Sequence, residues 1–185
     1  MRKQGVKMKK VIILMLFLTG IAVFSAELPN KSVYTSIKDR ECKRPSGSFR
    51  KIYPYEEDNT AVECSGQKNY RIFKVFQSGR EWLDISDGKN LWTTSKEVMG
   101  GNFGTWPHIR EGVAEWRVTK SGEVKALIFR IDALEDELNG KIQSRLYVIG
   151  LDSETPALCG IVKTNKEAAA LADKGRCTKE LSLKE

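Results

Sequence analysis

Cys42, Cys64, Cys159 and Cys177 constrain this chain more than any other feature, because four cysteines mean different folds in different compartments. The first 26 residues decide the compartment. Arg2, Lys3, Lys7, Lys9 and Lys10 form a basic opening, residues 11–24 are apolar apart from Thr19 and Gly20, and the small residues Ser25 and Ala26 follow. That is the three-part order of a secretory signal peptide. The apolar run is shorter than the roughly 20 residues that span a bilayer. Met8 offers a second start that keeps Lys9 and Lys10 ahead of the run. No cysteine stands near the cleavage position to carry a lipid. The expectation is cleavage near residues 25–26 and a single mature domain, 27–185, in the periplasm or outside the cell.

An even number of cysteines in an exported chain reads as disulfides. Three pairings are open. Cys42–Cys64 and Cys159–Cys177 are favoured because each joins near neighbours in sequence, and each loop is worth about 3 kcal/mol in the chain-entropy model. Zinc would need close C-x-x-C pairs or several histidines. The chain has neither, and His108 is its one histidine.

Removing the signal changes the charge argument. The whole chain carries 31 basic and 24 acidic residues, net +7. All five basic residues of 1–26 leave with the signal, so the mature chain keeps 26 against 24, net +2. Nucleic acid and anionic membrane are therefore not indicated as partners. The partners expected are a protein, a glycan or an envelope component, with no membrane anchor after cleavage.

Most of the mature chain reads as short strands between turn signals. The runs are 32–37, 49–53, 60–64, 70–77, 80–85, 89–94, 113–119, 123–131, 142–151 and 157–163. Asp87-Gly88 and Ser121-Gly122 mark hairpin turns. Residues 98–109 hold three glycines and a proline, which predicts a long loop. The acidic stretch 132–139 predicts another connection. One helix follows Asn165 as N-cap, with Ala168, Leu171 and Ala172 on one face and Gly175 as the stop. The fold class expected is mainly antiparallel β, a sandwich or barrel-like sheet, with one short C-terminal helix.

Catalytic patterns are not found. There is no G-x-S-x-G elbow, no P-loop and no G-x-G-x-x-G, so no cofactor is expected. Glu56-Glu57-Asp58 and Glu135-Asp136-Glu137 could supply paired carboxylates, but both lie among turn residues. Trp82, Trp92 and Trp116 fall in strands, where burial is their default. Phe103, Trp106 and His108 fall in the glycine-rich loop, which makes them candidate ligand contacts.

Several short motifs are similar to a poorly characterised family of small exported bacterial proteins. They are Tyr34-Thr35, Lys38-Asp39 and Cys42; Glu63-Cys64-Ser65-Gly66 and Tyr70; Ala114-Glu115-Trp116-Arg117; and Ala126-Leu127-Ile128 with Arg130. The late cysteine strand, the alanine-rich helix and Cys177 complete the likeness. It implies export and disulfides and adds no activity or catalytic residue. The loop 99–108 departs from that pattern. The function expected is a non-enzymatic binding module. The alternative is an inhibitor of a host or rival enzyme such as lysozyme, making contact through the acidic stretch 132–137.

Overall fold

The computed structural model describes residues 30–56, 59–101 and 103–184. The expected signal segment and its cleavage position lie outside them. Among the described residues twelve strands form two antiparallel sheets. The first sheet runs β1 (Lys31–Ser36), β7 (Val113–Val118), β8 (Val124–Asp136), β9 (Lys141–Gly150), β10 (Ala157–Val162), β11 (Lys179–Glu180). Here β6 (Thr105–Ile109) pairs with the far half of β8. The second runs β12 (Ser182–Leu183), β5 (Leu91–Thr93), β4 (Arg80–Ser86), β3 (Arg71–Gln77), β2 (Asn59–Cys64).

Alternation along β8 and β9 explains why both read as nearly continuous apolar runs. Leu127, Phe129, Ile131, Tyr147 and Ile149 belong to the core between the sheets. Ala126, Ile128, Leu146 and Val148 point the other way and pack against Ala168 and Ala172 of α3 (Asn165–Lys174). A sheet covered on both faces needs apolar residues at both parities. The second sheet is covered in the same manner by the segment around α1 (Phe49–Ile52), where Phe49 and Tyr53 lie 4.7 Å and 5.2 Å from the Phe73 ring. That leaves Ile72, Leu83 and Ile85, on the opposite face of β3 and β4, for the layer between the sheets.

Both disulfides pair as expected, Cys42–Cys64 and Cys159–Cys177. The first ties the turn after β1 to the edge strand β2. The second ties the chain beyond α3 back to β10. Trp82, Trp92 and Trp116 are buried, with Trp116 donating from Nε1 to Thr35 Oγ1 at 2.8 Å.

Four local expectations are corrected. Residues 49–53 form helix α1 with Tyr53 as its C-cap and not a strand, because Phe49, Ile52 and Tyr53 stand at i, i+3 and i+4, the spacing of one helical face. Residues 98–109 are not one long loop: α2 (Ser95–Met99) occupies the start and β6 the end. Pro107 is tolerated in β6 because the register with β8 is irregular between Thr105 and His108, where no ladder N–H is required. The stretch 132–139 is mostly strand, since β8 continues to Asp136. Finally, the N-cap of α3 is Thr164, whose Oγ1 accepts from the Glu167 N–H while Glu167 Oε2 accepts from the Thr164 N–H. This is a capping box, and Gly175 ends the helix at φ +61° as expected.

Candidate functional site

Thr105, Trp106 and Pro107 reach their place through two glycines that approach neighbours closely. A Cβ on Gly101 would collide with the Tyr147 hydroxyl, and one on Gly104 with the Leu134 carbonyl. These glycines hold the chain against β8 and β9; their role is close approach, not backbone freedom.

The three loop candidates part company. Phe103 turns inward, half-buried, with its ring 6.3 Å from that of Tyr147 and the Arg145 guanidinium 5.4 Å from its centroid. Its carbonyl accepts from Gln143 Nε2. His108 is half-buried on β6, opposite Asp132 of β8. Trp106 alone keeps a large exposed surface, at 46%. Its backbone has φ +50°, which a bulky residue rarely adopts. The indole rests on Gly79 of the turn between β3 and β4, where a Cβ would sit 3.2 Å from ring carbons. The Arg80 guanidinium lies 5.3 Å from the ring centroid. Beside the ring opens a cleft of about 320 Å³, lined by Arg80, Met99, Thr105, Trp106, Pro107 and Glu137 among others. Leu138, at the tip of the β8–β9 hairpin, is 96% exposed.

The carboxylates of the acidic stretch divide between the fold and its surface. Asp132 is buried and accepts from Arg110 Nε at 2.7 Å, and Glu135 pairs with Lys141. Asp136 Oδ1 accepts from the Leu138 N–H and shapes the hairpin turn. Glu56 bridges to Asn59; Glu57 and Asp58 lie outside the described residues.

Sequence reasoning missed a second group of polar residues, those inside the fold. Asp84 is fully buried and accepts from Tyr53 Oη at 2.6 Å, Trp82 Nε1 at 2.9 Å and Lys184 Nζ at 2.7 Å. Arg117 donates to both oxygens of Asp173 on α3, to Ser32 Oγ and to the Asn30 carbonyl. Glu63 receives the N–H and hydroxyl of Ser46. Alternating strands that read as merely β-rich conceal such groups, since their partners come from distant positions. Among the described residues, no cluster of three or more His, Cys, Asp or Glu is placed to hold a metal ion. No described helix is long and apolar enough to cross a membrane.

Comparison with protein-family models, with curated proteins and with solved structures finds no match to the chain.

Proposed function

We propose that the protein is an exported, non-enzymatic binding module that meets its partner through the Trp106 end of the sandwich. One observation carries the reading: a tryptophan is held half-exposed on a strained backbone, fixed by Gly79 beneath and Arg80 beside it. Strain of this kind persists only where the surroundings over-determine it, and it gathers at binding sites. A ring placed in advance loses little entropy on contact. The indole face suits a flat apolar surface, and Arg80 and Glu137 supply polar groups beside it. A protein, a glycan or an envelope component has that mixture. The buried carboxylates Asp84 and Glu63 have internal partners that fix them as structural groups, which supports a non-enzymatic role.

Export is part of the same proposal. Residues 1–26 act as the signal, and two disulfides fit an oxidising compartment. Asp132 and Asp136 are engaged within the fold, Glu135 pairs with Lys141 at the surface and Glu137 lines the Trp106 cleft, and nothing in this arrangement favours the inhibitor reading over the general one.

The test is capture from envelope extract and isolated cell-wall material by the wild-type protein and by Trp106→Ala. The wild type should enrich a partner that the variant loses. Equal capture by both contradicts the proposal. Mass spectrometry of exported protein should find an N-terminus near Ala26 or Glu27, and intact protein beginning at Met1 or Met8 contradicts export.

A further inference from the structure

Strand β2 is the outer edge of the second sheet, and its backbone is closed by two short bridges with a gap between them. Glu63 exchanges hydrogen bonds with Lys43, 2.7 Å and 2.9 Å, and Asn59 with Glu56, 3.3 Å and 3.2 Å. Both residues therefore turn their N–H and C=O away from β3. Backbone direction alternates along a strand, so Ala61, midway between them, turns its N–H and C=O outward as well.

The chain on either side cannot complete the exchange of both bonds. Continuing the antiparallel register two residues past Lys43 brings Pro45 opposite Ala61. Continuing two residues back from Glu56 brings Pro54 there. Neither proline has an N–H to give the Ala61 carbonyl. Among the described residues no hydrogen bond from outside the sheet ladder reaches either backbone group of Ala61. Buried backbone groups of this kind demand a partner, and Ala61 is only 5% exposed.

The gap opens into a cleft of about 330 Å³. Tyr53 and both prolines line it, and Arg44 and Arg50 bring two guanidinium groups. The Arg44 guanidinium lies 4.7 Å from the centroid of the Tyr55 ring, which is 74% exposed. No lining residue is shared with the Trp106 cleft.

We propose that this cleft binds the carboxyl-terminal end of an extended peptide. One ligand residue exchanges both backbone hydrogen bonds with Ala61, in the manner of strand addition. The next residue brings its terminal carboxylate to Arg44 or Arg50, where the planar guanidinium matches it. The two bridges exclude a strand running through, because they occupy the edge on both sides, so only a chain end fits. The two arginines choose the carboxyl end over the amino end.

The experiment is amide NMR titration of the full mature protein with N-acetyl-Ala-Ala as the free acid, with its C-terminal amide, and with acetate. The acid should shift the Ala61, Thr60 and Tyr55 resonances saturably. The amide should bind at least about tenfold more weakly, as should acid binding to Arg44→Gln or Arg50→Gln, since a charge-assisted pair is lost. The variants' unshifted resonances elsewhere establish that they fold. Four results would overturn the proposal: no saturable shift, shifts confined to another region, equal binding of acid and amide, or acetate binding as well as the dipeptide. None of these bears on the Trp106 surface, whose test is separate.

Discussion

The Asp84 carboxylate lies in the core with no access to water, and three donors make that tolerable. Burial first, and the Asp84 charge second, hold the Tyr53 hydroxyl well above the ordinary phenol range, so it remains a donor at all working pH. Tyr53→Phe should cost about 2 kcal/mol in urea unfolding, the price of one hydrogen bond to a charge. Lys184→Met should cost about 2–3 kcal/mol, below the full penalty for an unpaired buried charge because the ammonium is partly hydrated and two donors remain. At Trp106 the backbone itself makes a prediction. Alanine keeps the strain of φ +50° and glycine removes it, so Trp106→Gly should unfold at higher urea than Trp106→Ala, by about 1 kcal/mol. None of this network is written locally: Tyr53, Asp84 and Lys184 are joined only by the fold. Trp106 is different, since its setting among glycines marks it in the sequence, although the reason for the glycines proves to be close approach.

Helix α3 lies on the outer face of the first sheet, held by small apolar contacts, the capping box, the disulfide and the Arg117–Asp173 pair. Burial alone would raise the Asp173 pKa; the hydrogen bonds from Arg117 and Asn30 outweigh it and hold the carboxyl below its usual range. The folded pKa is depressed, so the stabilisation is complete above the ordinary aspartate range, about 4, and is lost as pH falls through the lower folded value. The hydrogen-exchange protection of α3, taken relative to the intrinsic exchange rate at each pH, should therefore fall on acidification ahead of that of the sheet core, and Asp173→Asn should remove that dependence. Replacing Cys159 and Cys177 together with alanine should lower stability by about 3 kcal/mol in chemical unfolding.

Strands were legible wherever one face or both faces stay apolar with turn residues at the ends, as in residues 70–77 and 142–151. Helix α1 is not, because one helical turn of four residues carries too little periodicity to outweigh the aromatic and aliphatic residues that favour strands. The N-cap is legible as Thr164-x-x-Glu167, but Asn165, a good capping type one residue later, competes with it in the sequence. Strand β6 escaped because proline argues against a strand unless the register is irregular.

At the scale of the whole molecule, two sheets, two covering helical segments and two disulfides form the frame among the described residues. The disulfide pairing followed from sequence proximity, whereas the clefts depend on how the sheets' ends meet and could not be read in advance. The central claim is that Trp106 is presented by this frame and does not support it. Equilibrium urea unfolding of Trp106→Ala beside Trp116→Ala tests it most directly. Trp116 is fully buried, and its removal should cost about 3–5 kcal/mol. Trp106→Ala should cost about 1 kcal/mol, the scale of an exposed side chain with one cation–π contact. A loss at Trp106 equal to that at Trp116 would make the indole part of the core and contradict the account.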